Sequence, residues 1–261
     1  WCCPRGASTP PERRHRGMAR RRRVGARILR ALLLAGLACV AASVLVVLVL
    51  RRVDPPGSMM MLEARIGAWR NDDARYRHRY RWVDMAQISP HAARAVIAAE
   101  DQNFATHPGF DFAAIRKAAE HNADGGAVRG ASTISQQVAK NLFLWRGRSW
   151  LRKGLETWFT VLIEVLWPKE RILEVYLNVA EFGHGIYGVE AAAQAYWAKS
   201  ARQLTRSQAA TLAAVLPNPR RYRAEPPSPY VQRRRDWILG QMPYVEMPAA
   251  TAGVPRVREA R

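Results

Sequence analysis

Cysteine is almost missing from this chain of 261 residues, and it is missing completely after residue 39. Cys2, Cys3 and Cys39 are the three that are present. The absence of cysteine from residue 40 onward excludes a disulfide framework and any cysteine-ligated metal site in the larger part of the chain. The sequence also contains no internal repeat and no sustained alternation of apolar and polar residues. It therefore predicts a mainly α fold.

Lysine is the second scarce residue, although the chain is strongly basic with a formal net charge of +20. Of the 41 basic residues five are lysines, namely Lys117, Lys140, Lys153, Lys169 and Lys199. Lysine supplies a compact point charge that arginine does not supply. Three of the five lie in the motifs described below, which favours a functional reason for them.

Acidic residues are scarce at the N-terminus, where residues 1–52 hold 12 arginines and a single acid, Glu12. Ala31–Leu50 carries no charge and no proline, and as a helix it would span about 30 Å, the thickness of a bilayer core. Arg51 and Arg52 follow in place of a small-residue cleavage site, so an uncleaved anchor is expected. The arginines before the span predict a cytoplasmic N-terminus, and this explanation argues against nucleic-acid binding.

The organisation expected from these features has five parts. Residues 1–30 form a basic cytoplasmic arm, 31–50 the anchor, 51–75 a linker, 76–240 the catalytic domain and 241–261 a tail. Because the first methionine is Met18, Trp1–Gly17 is interpreted as an upstream extension, with a disordered basic arm as the alternative. Helices are predicted at His91–Glu100, Arg171–Leu177, Val189–Trp197 and Arg206–Leu216. The apolar run Leu155–Trp167 is too short for a bilayer and predicts a buried core helix.

Two adjacent acids, Glu100 and Asp101, end one of the predicted helices. A helix dipole disfavours acids at that end, so the pair suggests function at the expense of local stability. A solvated helix end is the alternative. The loop behind the acids continues to Asp111 through an aromatic residue, a histidine and a glycine.

A second polar cluster lies at Gly130–Asn141, where Ser132 or Thr133 is a natural N-cap and the helix behind it offers an anion site. The pairs Gln136/Lys140 and Gln137/Asn141 are each four residues apart, so each pair shares a helix face. An ordinary capped helix with polar exposure is the alternative.

A third cluster, Arg152-Lys153-Gly-Leu-Glu156, has two interpretations. The basic pair is either a phosphate site or a set of partners of Glu156 in ordinary surface ion pairs.

These segments resemble signature motifs of the peptidoglycan glycosyltransferases of family 51. Five resemblances occur in family order over residues 90–222: Glu100–Asp111 to EDxxFxxHxGxD, Gly130–Asn141 to GxSTIxQQxxKN, Arg152–Glu156 to RKxxE, Lys169–Asn178 to KxxILxxYLN, and Arg206–Pro219 to RxxxxLAAxLPNP. The chain contains neither an SxxK nor a KTG motif, so it is most similar to the monofunctional members. His184 and Tyr196–Lys199 depart from the family pattern, which affects the nearby loop only.

The resemblance implies a lysozyme-like helical head with a smaller membrane-touching jaw at residues 112–130. It implies transfer of a lipid-pyrophosphate-linked glycan to the 4-hydroxyl of lipid II, with inversion and a new β-1,4 bond. The membrane, lipid II and the lipid-linked nascent glycan are the expected partners, together with other cell-wall synthesis or division proteins, and no nucleic acid. The expected location is the bacterial inner membrane, with the catalytic domain in the periplasm.

Residue roles follow from the same resemblance. Glu100 is expected to be the general base and Glu156 to lie near the leaving group, positioning cations or a divalent ion. The expected substrate-binding residues are Asp101, Phe104, His107, Ser132, Thr133, Gln136, Gln137, Lys140, Asn141, Arg152 and Lys153. No protein-built metal site and no tightly bound cofactor are expected, although Mg²⁺ or Mn²⁺ could accompany the pyrophosphate.

Two rival interpretations share some of these features. A lysozyme-like lytic glycosidase would also use a glutamate, but it would not need the cations at Lys140, Arg152 and Lys153. A membrane-anchored scaffold or nucleic-acid binder would explain the basic charge, but it gives no reason for the paired acids.

Overall fold

The computed structural model describes residues 12–125, 130–147 and 149–248. The chain divides into two compact units, one that ends at Val46 and one that begins at Val47. Three sequence-based predictions lie partly outside the described residues. These are the N-terminal extension and arm at residues 1–11, the jaw at 126–129, and the tail at 249–261.

The first helix, α1 (Glu12–Leu50), contains the predicted anchor. Its stretch Arg27–Leu50 is long and apolar enough to cross a membrane, with a mean hydropathy of 2.9. The leucines of this stretch face outward, as at Leu33, which is 66% exposed. Such exposure suits a helix that meets lipid rather than protein.

Residues 51–75, interpreted from the sequence as a linker, contain a second helix, α2 (Met59–Arg70). Ser58 caps it by accepting a hydrogen bond from the Met61 N–H at 3.2 Å. Four of its apolar side chains are exposed at helical spacing, Met59, Leu62, Ile66 and Trp69. Met61 is buried and belongs to the core.

A small sheet follows, made of β1 (Arg79–Tyr80), β2 (Glu181–Gly183) and β3 (Ile186–Tyr187) in the order β1-β3-β2. β1 is parallel to β3, with Arg79 opposite Ile186, and β2 is antiparallel to β3. The sheet brings residues about 100 positions apart in sequence into register. This pairing was not predicted from the sequence.

The rest of the second unit is helical, which confirms the predicted mainly α class. α3 (Pro90–Glu100) packs against α9 (Arg206–Val215) and α10 (Pro229–Gln241), and α5 (Ile134–Phe143) packs against α6 (Trp150–Leu166) and α7 (Lys169–Val179). α4 (Phe112–Ala123) and α8 (Val189–Trp197) complete this set. The helices predicted at 91–100, 171–177, 189–197 and 206–216 all correspond to observed ones.

The prediction of a buried core helix at Leu155–Trp167 is wrong for one face of α6. The buried residues of α6 are Glu156, Thr160 and Ile163, whereas Val165 is 75% exposed. The face that packs on α5 is therefore partly polar, because it carries the chemistry described below. Of its apolar side chains, Leu151, Trp158, Val161 and Val165 are exposed, whereas Phe159, Leu162 and Leu166 are partly buried against the core.

Candidate active site

Glu100 is the last residue of α3, and the loop behind it is fixed by its neighbour Asp101. The Asp101 carboxylate accepts hydrogen bonds from the Ile134 N–H at 2.9 Å and from His107 Nε2 at 2.8 Å. The Gly109 N–H donates to His107 Nδ1 at 3.1 Å, so Nδ1 is an acceptor and the imidazole proton lies on Nε2, facing Asp101. The loop is thereby attached to the first turn of α5.

Lys169, at the start of α7, also contacts this loop. Its ammonium donates to the His107 carbonyl at 2.7 Å and to Glu164 at 2.8 Å, and it lies 4.6 Å from the ring centre of the fully buried Phe104. Asp101, Phe104 and His107 were predicted to bind substrate. Their side chains are buried and contact one another, α5 or Lys169. These contacts suit a role in positioning the loop.

The conformation of Gly109 is a condition for this arrangement. Its φ is +90°, and an added Cβ would lie 2.7 Å from Glu164 Cγ. Its carbonyl accepts a hydrogen bond from Thr133 Oγ1 at 2.7 Å. Any other residue here would be strained and would also collide with α6.

The Glu100 carboxylate accepts a hydrogen bond from Gln137 Nε2 at 2.7 Å. Tyr176 donates its hydroxyl to Gln137 Oε1 at 3.3 Å, and this bond directs the amide nitrogen toward Glu100. Burial raises the pKa of Glu100, while the Gln137 hydrogen bond and the charges of Arg234 and Lys140 oppose the rise. Glu100 is therefore a stronger base than an ordinary glutamate.

The adjacent amides of Gln136 and Gln137 have different surroundings. Gln136 is buried, and its Oε1 accepts from the Thr133 N–H at 3.0 Å, while Thr133 Oγ1 accepts from the Gln136 N–H at 3.2 Å. This is a capping box at the start of α5. Thr133 and Gln136, both predicted to bind substrate, thus use these groups to hold the helix N-terminus, while Ser132 beside them is exposed.

A cluster of cations surrounds Glu156, which is 3% exposed. Lys153 Nζ lies 2.5 Å from Glu156 Oε1, and Arg152 Nη1 lies 3.1 Å from Oε2. The Nε of Arg152 is buried and has no hydrogen-bond partner within the described residues. A buried donor without a partner is costly, so the site is suited to an added acceptor group.

Lys140 joins this cluster electrostatically. Burial lowers the pKa of its ammonium, and Arg152 and Lys153 act in the same direction, while the charges of Glu156 and Glu100 oppose them. Lys140 therefore lies within electrostatic range of both the base and the cation pair. A negatively charged ligand at this point would relieve the mutual repulsion of the cations.

Two clefts flank the pair formed by Glu100 and Gln137. One has a volume of about 330 Å³ and is lined by residues that include Gln137, Lys140 and Asn141. The other, of about 290 Å³, is lined by residues that include Glu100 and Ser132. The bond between Glu100 and Gln137 links one cleft to the other, so two ligands could approach from both sides. Asn141, predicted to bind substrate, borders the first cleft.

The sequence reasoning missed three supporting residues: Lys169, Tyr176 and Arg234. Lys169 and Tyr176 lie in a quoted motif, but nothing in their spacing reveals their contacts. Arg234 lies on α10, where its Nη2 donates to the Ala99 carbonyl at 3.0 Å. A cation is favourable at the C-terminus of a helix such as α3, and the paired acids could have prompted a search for one.

A carboxylate of raised pKa, linked through Lys140 to a cluster of cations and placed between two clefts, is the arrangement expected of an enzyme that transfers a group from an anionic leaving group. The model of the family described as "Transglycosylase" matches residues 68–243. The chain belongs to this transglycosylase family.

Curated relatives named "Biosynthetic peptidoglycan transglycosylase" cover most of the chain. The relative from Xanthomonas euvesicatoria pv. vesicatoria (strain 85-10) is 57% identical over 88% of this chain and 93% of its own length. That from Xanthomonas axonopodis pv. citri (strain 306) is 58% identical over 85% and 91%. That from Xylella fastidiosa (strain 9a5c) is 54% identical over 84% and 92%. The predicted family and enzyme class are thus confirmed.

Proposed function

We propose that this membrane-anchored peptidoglycan glycosyltransferase extends glycan strands by a single displacement, with Glu100 as the general base. The acceptor is the 4-hydroxyl of lipid II, and the donor is the lipid-pyrophosphate-linked nascent glycan. Glu100 removes the hydroxyl proton while the oxygen attacks the anomeric carbon from the face opposite the pyrophosphate. The bond to the pyrophosphate breaks as the β-1,4 bond forms, so the configuration inverts.

The observation that carries this proposal is the bond from Gln137 to Glu100 at the junction of the two clefts. Within the described residues no hydrogen bond is made to the second carboxylate oxygen, which can therefore accept the proton. It also favours the ionised form against the burial that raises the pKa of Glu100. A carboxylate of raised pKa binds a proton more readily than an ordinary glutamate, which suits it to take the proton of a sugar hydroxyl.

The leaving pyrophosphate is the proposed ligand of Lys140, Arg152 and Lys153. Arginine and lysine form charge-assisted hydrogen bonds with phosphate oxygens, and these bonds strengthen as negative charge develops on the leaving group. The partnerless Nε of the buried Arg152 supports this assignment. Gln137, Asn141 and Ser132 border the clefts or lie open to them and would bind the sugars or phosphates.

Glu156 positions the cations in this scheme. Both of its oxygens already accept from Lys153 and Arg152, so the residues around it do not fit a protein-held metal ion. Among the described residues, no group of three or more potential metal ligands is present. We therefore propose that any Mg²⁺ or Mn²⁺ would arrive with the pyrophosphate, and that Glu156 acts through Arg152 and Lys153.

The proposed topology has the N-terminus in the cytoplasm and the domain after residue 52 in the periplasm. The arginines before the span support it, since basic residues favour the cytoplasmic side. Both substrates carry lipid tails, so an anchored enzyme meets them in two dimensions at a raised effective concentration. Other cell-wall synthesis or division proteins are proposed partners on the same side of the membrane.

The test uses the full chain, reconstituted with labelled lipid II, and a gel of its glycan products. We expect Glu100→Gln to reduce polymerisation by about 10²–10⁴-fold, because the base is lost while the Gln137 contact can persist. Glu246→Gln, a change of an exposed carboxylate, should leave the product ladder unchanged. A folded Glu100→Gln variant with full activity would overturn the assignment of the base.

A further inference from the structure

Residues 75–82 read Arg-Tyr-Arg-His-Arg-Tyr-Arg-Trp, so that arginine and an aromatic ring alternate. In an extended chain, alternate side chains point to opposite faces. The segment contains β1, and all four arginines are exposed, while Tyr76, Tyr80 and Trp82 are half-buried. The arginines Arg75, Arg77, Arg79 and Arg81 are named the arginine row below.

The charges of the arginine row are almost unneutralised. Within the described residues, the single carboxylate within 4 Å of the row is Asp73, 3.9 Å from Arg75 Nε. Arg77 donates to the Ala74 carbonyl, a neutral acceptor, at 3.0 Å. A cleft of about 310 Å³ beside the row is bordered by Arg75, Arg77, Arg79 and Arg223, against a single carboxylate, Glu225, in its lining. The surface therefore attracts anions and has room for a headgroup-sized one.

The aromatic face of the same segment fixes the row next to the end of the membrane span. The Tyr80 hydroxyl donates to the Pro55 carbonyl at 2.7 Å. Trp82 lies under the guanidinium of Arg171 at 5.1 Å, and Arg171 in turn donates to the Leu50 carbonyl at 3.0 Å. Leu50 is the last residue of the span. The C-terminal end of the row is thus attached where the chain leaves the bilayer.

Proximity to the end of the span favours contact with the bilayer surface. Arg79 and Arg81 are the sequence neighbours of Tyr80 and Trp82, the two residues attached near that end. Electrostatic attraction acts over about 8–10 Å at physiological salt, so it favours cations held beside the point where the span ends. Arg51 and Arg52 add cations at the same end.

We propose that the arginine row binds the phosphates of anionic phospholipids in the leaflet at which α1 ends. A guanidinium matches a phosphate with two parallel hydrogen bonds, and neighbouring basic residues add their attraction to an anionic surface. The row would hold the domain against the membrane and recruit anionic lipid around it. This inference depends on the membrane anchor and not on the roles proposed for Glu100 or the cation cluster.

The experiment titrates the full chain in detergent with phosphatidylglycerol or phosphatidylcholine and measures bound lipid by native mass spectrometry. We expect Arg77→Gln/Arg79→Gln to weaken phosphatidylglycerol binding at least fivefold and to leave phosphatidylcholine binding unchanged. The matched control is Arg202→Gln/Arg233→Gln, which removes the same charge from exposed positions elsewhere and should bind both lipids like the parent. A thermal unfolding curve of each variant checks the fold.

Three outcomes would overturn the inference. The first is equal phosphatidylglycerol binding by the parent and Arg77→Gln/Arg79→Gln. The second is an equal loss in the Arg202→Gln/Arg233→Gln control, which would indicate net charge alone. The third is weaker binding of lipid II with unchanged binding of phosphatidylglycerol, which would assign the row to the substrate. Polymerisation by the variant in detergent, where no leaflet is present, should equal that of the parent.

Discussion

At the scale of single residues, burial makes Glu100 a stronger base at the expense of the stability of the fold. Burial raises its pKa, so the folded protein binds that proton more tightly than the unfolded chain does. Below the ordinary pKa of 4.5 the carboxyl is protonated in both the folded and the unfolded state, so the raised pKa does not lower the stability of the fold. As the pH rises above 4.5, the unfolded chain ionises first, and the fold loses stability until the folded pKa is passed.

Glu100→Gln is therefore expected to stabilise the fold at neutral pH, although it removes the base. The gain in melting temperature over the parent should be absent at pH 4, grow above pH 4.5 and become constant above the folded pKa. Scanning calorimetry of the two proteins in the same detergent at pH 4, 6 and 8 measures it. A difference that is largest at pH 4 would contradict the cause given for the raised pKa.

Arg234 is expected to control the pH at which the base ionises. The charged and polar groups that act on Glu100 are Gln137 and Lys140 from α5, Asp101 from the loop, and Arg234 from α10. Because the positive charge of Arg234 lowers the pKa of Glu100, Arg234→Gln should move the acid limb of the kcat/KM profile to higher pH. Arg234→Lys should restore most of the shift, since it keeps the charge.

Arg233→Gln is the control for this measurement, because Arg233 precedes Arg234 on α10 and is exposed. Its profile should match that of the parent. A loss of activity in Arg234→Gln that is the same at every pH would indicate a purely structural role for Arg234.

The two glutamines of α5 show which features of single residues could be predicted from the sequence and which could not. The family resemblance assigned both to substrate binding, and spacing gave each a partner on the same helix face. The pattern Thr133-x-x-Gln136 is itself a capping-box signature and could have separated them. Nothing in the sequence could show that Tyr176, 39 residues away from Gln137, sets the orientation of its amide.

At the scale of elements, the loop between α3 and α4 depends on Gly109. Gly109→Ala should destabilise the fold by about 1–3 kcal/mol, since it forces a positive φ on a residue with a Cβ and crowds Glu164. Gly154→Ala is the matched control, because its new methyl group meets nothing within 4 Å and lies within α6. That change should be neutral or slightly stabilising.

Chemical denaturation of both glycine variants gives the free energies of unfolding. Polymerisation by Gly109→Ala should also fall, because the loop holds Asp101 and, through it, the end of α3. Equal stability of the two variants would mean that the loop tolerates another conformation.

Two segments show where the pattern of apolar and polar residues did not predict the structure. The segment at 75–82 alternates strictly, but its alternation is between arginine and aromatic residues, which apolar-polar counting does not register as a strand. In α6 the apolar content was correctly noticed, yet the buried side carries Glu156 and Thr160. In a helix that faces a charged site or a membrane, buried side chains can be polar and exposed side chains can be apolar.

At the scale of the whole molecule, Arg171 connects the end of the span to the catalytic domain. Its guanidinium donates to the Val53 carbonyl at 2.9 Å and pairs with Asp54 and Glu174, each at 2.8 Å. Arg171→Ala should cost about 3–5 kcal/mol, because it leaves the buried Glu174 without this cation. Chemical unfolding in detergent measures the loss.

Arg202→Ala, a change at an exposed position, should cost little and serves as the control. An Arg171→Ala variant as stable as the parent would show that other contacts hold this junction. The nearby Trp167 is the obvious candidate, since its Nε1 donates to the Val47 carbonyl at 2.7 Å.

This junction has a mechanical consequence for how a strand grows. The stretch from Val47 to Asp54 is bonded at four points, through Val47, Leu50, Val53 and Asp54, to Trp167 and Arg171. These residues therefore fold as part of the catalytic domain, and a strand that grows in the site extends from a domain whose own packing includes the last turn of the span.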